Sequence, residues 1–156
     1  AGVLLVAQSG RASILAYDLG TGAGREFAVN LPCLPDNLQV WPGRGVVAVG
    51  CALKRTQPFS VLDLLAPHPW LRRLVLRLVS PATLSRFVPK YGMVLFLDVT
   101  TGVVVGSWND DTASVVDVVS EAYLDEDLGL VFMGSWRNDW LAILPVNTTS
   151  FPALLI

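Results

Sequence analysis

The sequence has few of the residues on which many small protein classes depend. Its 156 residues include only two cysteines, Cys33 and Cys51, and one histidine, His68. Two thiols cannot form the several bridges of a disulfide-rich scaffold or a four-thiolate zinc site. Two buried free thiols are the simpler interpretation, and the alternative of one disulfide requires an oxidising compartment. No Ser-His-Asp order, Gly-rich phosphate loop or zinc-ligand spacing occurs either.

Charged residues are also scarce. They make up 15% of the chain against 53% hydrophobic residues, and the net charge is −2. Because the chain has no basic excess, it lacks the electrostatic footprint of a nucleic-acid-binding protein, and no nucleic-acid partner is expected. It also has no uninterrupted run of about 18 apolar residues, the length that a membrane-spanning helix needs. The high apolar share therefore indicates a large buried core.

What the sequence does contain is a repeat of apolar hairpins. Three stretches begin with a glycine, continue through four apolar residues and reach a small residue: GVLLVA from Gly2, GVVAVG from Gly45 and GLVFMG from Gly129. The first and third then cross a polar bend into a second apolar segment, at residues 14–17 and 141–144. Short apolar runs bounded by turn residues are typical of buried strands joined into hairpins.

The spacing of these hairpins predicts propeller blades. The first two glycines are 43 residues apart and the next two 84 residues apart, and a period of about 40 to 45 residues is typical of four-stranded blades. The longer interval holds either two blades or one blade and an insertion. Residues 59–88 favour an insertion, because their leucines and valines recur at helical spacing. We therefore predict an all-β fold of about three blades with a helical insertion.

Five segments in order are similar to the C-terminal half of the strictosidine synthase-like family. They read LPxxPDN, FSxLDLL, PWLRRLVLRLVS, FVPKYGMVLFLD and GSWRNDWLAILP, and within the family they most resemble the branch of adipocyte plasma membrane-associated proteins. The resemblance implies a six-bladed β-propeller, related in structure to paraoxonases and lactonase-type calcium hydrolases. Residues 1–145 would form part of that ring, with 59–88 as the insert and 146–156 as a tail. The missing blades of a longer parent chain are then the expected partner.

The pair Asp36 and Asn37 is the first candidate site. In the calcium-binding relatives that the resemblance implies, an Asp-Asn pair at this place points into the central tunnel, and both side chains offer oxygen ligands that suit calcium. The alternative is an Asx turn that opens a strand without any metal. Since calcium takes six to eight ligands, calcium is expected only in the full-length parent.

The acidic segment at residues 120–129 is the second candidate. Strictosidine synthase uses a glutamate just before its final strand as general acid/base, and the resemblance gives Glu126 this place, although the register also allows Asp125. A solvated hairpin turn describes three clustered acids equally well and is the simpler interpretation. His68 lies between two prolines and is interpreted as a loop residue, because no counterpart of the catalytic His pair of paraoxonases is found.

Residues 70–79, WLRRLVLRLV, predict a basic amphipathic helix. A lid over the tunnel mouth is the simpler interpretation, and the alternative is a helix in a membrane interface with its arginines near anionic head groups. Asn147 begins a sequon for N-glycosylation, which is used only in the secretory pathway. The resemblance implies the secretory pathway or a membrane, namely the endoplasmic reticulum, plasma membrane or vacuole.

The expected function follows from the resemblance, since a fold does not determine an activity. It implies a strictosidine synthase-like protein that acts on a small molecule, by arylesterase-like hydrolysis or by amine–aldehyde condensation. The alternative is a propeller without chemistry that serves as a membrane-associated binding or scaffold protein. Whether the chain belongs to an enzyme stays open at this point.

Overall fold

Ten strands form three antiparallel sheets. A computed structural model describes residues 2–55, 61–80, 83, 86 and 88–146. The sheets have the strand orders β1-β2-β3, β4-β5-β6-β7 and β10-β9-β8, so every pairing joins strands that are consecutive along the chain. The strands are β1 Val3–Gln8, β2 Ser13–Asp18, β3 Gly24–Ala28, β4 Cys33–Trp41, β5 Val46–Lys54, β6 Gly92–Asp98, β7 Val104–Asp110, β8 Val119–Asp125, β9 Leu130–Ser135 and β10 Ala142–Pro145.

The same backbone hydrogen bond closes the hairpin of each predicted repeat. In every case the carbonyl oxygen of the first glycine accepts a bond from the N–H group that follows the second strand. The three N···O distances are 2.9, 3.0 and 2.8 Å, for the pairs Leu19–Gly2, Val99–Gly45 and Val146–Gly129. The hairpins β1-β2, β5-β6 and β9-β10 are therefore equivalent, which confirms the repeat.

Because the three hairpins are equivalent, every strand can be assigned a position within its repeat unit. β4 and β8 each precede the repeated hairpin and are the first strands of the second and third units. β3 and β7 follow the hairpin and are equivalent last strands. Among the described residues, the first sheet has no counterpart of β4, and the third sheet has none of β7.

The three sheets pack one after another through their faces. β4 contacts both β1 and β8, and β5 also contacts β8. Val47 and Val49 of β5 are buried against the first sheet, whereas Val46 and Ala48 are buried in the cluster shared with the third sheet. Since alternate residues of a strand point to opposite faces, a strand buried on both faces must be apolar throughout. This explains the uninterrupted run that opens β5, and the arrangement is that of a partial all-β propeller.

In the described part of the segment between β5 and β6 lie the helices α1 Val61–Leu65 and α2 Pro69–Leu78. The longer interval of the repeat thus contains one blade and an insertion, and Pro69 begins α2 at the position that proline favours. The insertion leaves β5 at Lys54, which pairs with Cys33 at the start of β4, so it departs from that end of the sheet. Within the described ranges, neither helix has the length and apolar character needed to cross a bilayer.

Candidate functional site

Asp36 and Asn37 lie in a β-bulge near the start of β4. The register of β4 against β5 is shifted across this pair, so that both residues lie opposite the single residue Gly50. Asp36 is half-buried and Asn37 is exposed. The pair therefore belongs to the interior of a strand and not to a turn that opens one. Bulges of this kind redirect side chains and are common beside active sites.

The same irregularity recurs in the third sheet. The register of β8 against β9 is shifted across Ser120 and Glu121, which lie opposite Gly134. Gly134 and Gly50 are the matching small residues of the repeat, so the two bulges occupy equivalent places in adjacent units. As in β4, the first side chain of the bulge is half-buried and the second is exposed.

Close packing of β5 against β8 brings the two bulges together. A Cβ atom on Gly50 would lie 2.1 Å from the backbone oxygen of Ser120, so only glycine permits this approach. β4 itself also contacts β8. Two neighbouring first strands therefore carry four side chains with oxygen atoms at equivalent positions: Asp36, Asn37, Ser120 and Glu121. β4 and β8 share no residue pattern. The sequence analysis therefore did not single out Ser120 and Glu121 within the acidic segment 120–129, although alignment through Gly50 and Gly134 would have done so.

Glu126 lies at the opposite end of β8 from this bulge. It is an exposed residue of the β8–β9 turn, and a Cβ atom on Gly43 would lie 2.6 Å from its Oε1 atom. Gly43 follows the end of β4, so about six residues of extended strand, or roughly 20 Å, separate Glu126 from the Asp36 bulge. Asp125 accepts a hydrogen bond from the Leu128 N–H group at 3.0 Å and so stabilises the turn. The structure does not bring Glu126 or Asp125 together with Asp36.

Cys33 and Cys51 form a disulfide between β4 and β5, with a Cα–Cα distance of 5.7 Å. The simpler expectation of two free thiols is therefore wrong. Sequence alone could not decide this, because the proximity of the two cysteines depends on the register between the strands. Cys51 pairs with Pro35, the residue before Asp36, so the covalent link fixes the two strands directly beside the bulge.

A cavity of about 400 Å³ lies near the start of β4, where Leu34 is part of its lining. Its polar lining includes Gln8, Ser13, Asn30 and Asp63. The Ser9 hydroxyl, next to the lining residue Gly10, donates a hydrogen bond of 2.6 Å to the Pro35 carbonyl. The cavity is therefore close to the start of β4, but none of the four bulge side chains lines it.

The oxygen atoms of the two bulges are of the kind that bind a hard cation. They are too few to complete its coordination sphere. Carboxylate, amide and hydroxyl oxygens are the ligands that calcium prefers, and calcium takes six to eight of them. Across the described part of the chain, no group of three or more His, Cys, Asp or Glu residues comes together in a way that could hold a metal ion. Further ligands would have to come from other strands.

Two other predicted site residues lie apart from the bulges. His68 is exposed at the N-terminus of α2 and its side chain makes no capping hydrogen bond, in agreement with its interpretation as a loop residue. Asn147, the glycosylation candidate, lies outside the described residues.

Comparison with curated proteins finds relatives that share one name. Proteins named adipocyte plasma membrane-associated protein are 35% identical to this chain over 129 residues in Danio rerio, 35% over 123 residues in Bos taurus and 34% over 127 residues in Homo sapiens. These alignments cover 83%, 79% and 81% of this chain, but only 30%, 29% and 30% of the relatives. The chain thus spans about a third of the length of the curated relatives it matches. No family model matches the chain, and no solved structure matches it significantly.

Proposed function

Since the chain belongs to the family of the adipocyte plasma membrane-associated proteins, a strictosidine synthase-like family, we propose that its paired bulges line the substrate site of a six-bladed propeller hydrolase. The observation that supports this proposal is the recurrence of one bulge on two neighbouring first strands. Each of these first strands carries a polar pair at the same height in its blade. In a complete ring, the first strands would surround the central axis of the propeller. The remaining blades would belong to the longer protein.

The proposed reaction is hydrolysis of a small ester. Asp36 and Asn37 would hold a calcium ion together with ligands from the remaining blades, and when bound the ion polarises the ester carbonyl. Glu121, the exposed second residue of the bulge on the neighbouring strand, would accept a proton from the attacking water and return it to the oxygen of the departing alcohol. We prefer ester hydrolysis to amine–aldehyde condensation. The resemblance implies that Glu126 would perform the condensation, and Glu126 lies at the end of β8 opposite the bulge.

Hydrolysis of phenyl acetate by the full-length protein tests the proposal. We expect Glu121→Gln to lower kcat by about 10²-fold or more, as loss of a general base does. Asp36→Ala should abolish the calcium dependence of the rate. Asp127→Asn in the exposed β8–β9 turn is the matched control and should leave both unchanged.

Two outcomes would contradict this assignment. An unchanged rate in Glu121→Gln with a large loss in Glu126→Gln would place the chemistry at the other end of β8. Absence of any ester turnover by the full-length protein, with and without calcium, would exclude the hydrolase itself.

A second candidate function is a membrane-associated scaffold without catalysis. The name of the relatives describes membrane association, and residues 64–97 contain basic but no acidic residues. This candidate would be supported by a full-length protein that binds lipid vesicles but turns over no ester.

The disulfide supports a location in the secretory pathway. Structural disulfides persist in oxidising compartments such as the lumen of the endoplasmic reticulum and the cell surface, and Cys33 and Cys51 are joined within the core at 0% and 1% exposure. In the same compartment the Asn147 sequon would meet the glycosylation machinery, and the protein would be a glycoprotein.

A further inference from the structure

Positive charge is concentrated in the helical insertion and the segment after it. Between Asp63 and Asp98 the sequence has five basic residues and no acidic one, namely Arg72, Arg73, Arg77, Arg86 and Lys90, although the whole chain has a net charge of −2. The acidic residue at the start of this segment, Asp63, is paired with the Arg55 guanidinium at 2.7 Å. The insertion therefore presents a local excess of positive charge.

The α2 helix exposes apolar side chains beside this charge. Trp70, Leu74 and Leu78 are 67%, 42% and 76% exposed, and their spacing of four places them in one stripe along the helix. Leu71 and Val75 are half-buried and lie on the inward side. The sequence predicts a single apolar face on this helix. In the structure only part of that face packs against the protein, and the rest is exposed to solvent.

The exposed arginines lie along one side of the apolar stripe. At about 100° per residue, Arg77 is about 20° and Arg73 about 60° around the helix from Trp70, and both arginines are exposed. A lid that packs over the tunnel through its apolar face would bury such leucines. An exposed tryptophan and leucines bordered by arginines are instead typical of a helix that lies in the membrane interface.

The position of α2 orients this surface. A Cβ atom on Gly10 would lie 3.9 Å from the Nη2 atom of Arg72, so α2 runs beside the turn at Ser9–Arg11. Ser9 of that turn bonds to the Pro35 carbonyl next to the first bulge. The helix and the Asp36 bulge therefore lie at the same end of the blades.

We propose that α2 docks the protein on an anionic lipid surface. Trp70, Leu74 and Leu78 insert among the head groups, and Arg73 and Arg77 contact lipid phosphates. The docked protein then directs the end of the blades that carries the Asp36 bulge toward the membrane. This inference deepens the proposed function, because the mouth of the tunnel would then face the membrane. The docking itself needs no catalysis.

Flotation with lipid vesicles tests the docking. The protein should bind vesicles of phosphatidylcholine and phosphatidylserine, and it should bind pure phosphatidylcholine much more weakly. Arg73→Gln combined with Arg77→Gln should weaken binding roughly 30-fold, because each basic residue near an anionic surface contributes about fivefold. The control Arg25→Gln, at an exposed arginine of β3 away from the Ser9–Arg11 turn, should leave binding within about twofold.

A second pair of variants tests the apolar stripe. Leu78→Glu should abolish binding, whereas Leu128→Glu, at a residue that is 64% exposed in the β8–β9 turn, should preserve it. If the α2 variants and their controls lose binding equally, or if the protein binds both kinds of vesicle equally, binding does not depend on α2 and the proposal is overturned. Binding to polyglutamate but not to vesicles would assign the arginines to an acidic protein instead. Ester hydrolysis is measured separately without lipid, so failure of the docking and failure of the proposed hydrolase are distinguishable.

Discussion

The middle and third sheets are built from equivalent strands, but their surroundings differ. β5 lies between two sheets, and the residues of its Val46–Val49 stretch are at most 7% exposed. In β9, the equivalent strand of the third sheet, Val131 and Met133 are buried, but Leu130 and Phe132 are only half-buried. The same repeat therefore yields a fully buried strand or a half-buried one according to how many faces have a neighbour.

This difference identifies the surfaces on which further blades would pack. Apolar side chains are exposed on the outer faces of the first and third sheets, and contiguous exposed apolar surface marks an interface. They are Leu4 and Tyr17 on the first sheet and Tyr123 and Ile143 on the third sheet. Both faces fit the expectation that a larger ring covers them.

The largest expected effect comes from removing a tryptophan of the middle sheet. Trp41 is 1% exposed, and its ring centroid lies 5.3 Å from that of Phe96 and 6.0 Å from that of Trp108. Trp41→Ala should lower the free energy of unfolding by about 3–5 kcal/mol. Trp136→Ala, at a residue 55% exposed beside the third sheet, should lower it by less than about 1 kcal/mol. Urea unfolding measures both, and similar losses would show that the third sheet is packed as tightly as the middle one.

Much of this architecture could be predicted from the sequence because it repeats. The glycines that begin each hairpin mark equivalent backbone hydrogen bonds, and the helical spacing of residues 59–88 identified the insertion. The division of the apolar face of α2 could not be predicted, since helical periodicity shows that Leu71 and Leu74 are close together but not which of them meets the protein.

The second test compares the two glycines of the bulges. A Cβ atom on Gly50 would lie 2.1 Å from the Ser120 oxygen, whereas a Cβ atom on Gly134 would meet nothing within 4 Å. Gly50→Ala should therefore destabilise the protein by about 1–3 kcal/mol, since the two strands must separate. Gly134→Ala should be nearly neutral or slightly stabilising, because it restricts the unfolded chain without a clash.

Thermal unfolding of the two alanine variants provides the measurement. A neutral Gly50→Ala would mean that β5 and β8 are not in close contact, and the side-by-side arrangement of the bulges would then be lost. The full-length Gly50→Ala variant should also lose esterase activity if the two bulges share a site. The equivalent Gly134→Ala variant should keep it.

Only half of the candidate site could be predicted from the sequence. An Asp-Asn pair is visible as a motif in the sequence, so Asp36 and Asn37 were found. Ser120 and Glu121 form no motif, and their relation to the pair depends on a bulge register that only coordinates reveal. The resemblance gives Glu126 the place of a general acid/base just before a strand, but the structure puts Glu126 beside Gly43, most of a strand length from Asp36.

The smallest expected effect concerns the link between the middle and third sheets. Asp110 ends β7, and its carboxylate accepts hydrogen bonds from the N–H groups of Val115 and Val116 at 2.6 and 3.1 Å. Partial burial raises the pKa of Asp110, but these backbone bonds lower it more, to well below its ordinary value of 3.8. Because the pKa is lower in the folded state, the contribution to stability is present above about pH 4 and is lost as the pH falls further.

Asp110→Asn should therefore lower the free energy of unfolding at pH 7 by less than about 1 kcal/mol, since solvent screens this largely accessible group. The difference from the unmodified protein should shrink as the pH falls below 4, because the protonated carboxyl resembles the amide. Asp111→Asn, at the exposed neighbour, is the control and should show no such convergence. Urea midpoints at pH 7 and pH 3 measure the change. A loss that stays constant across this range would show that the charge of the Asp110 carboxylate does not stabilise the connection between β7 and β8.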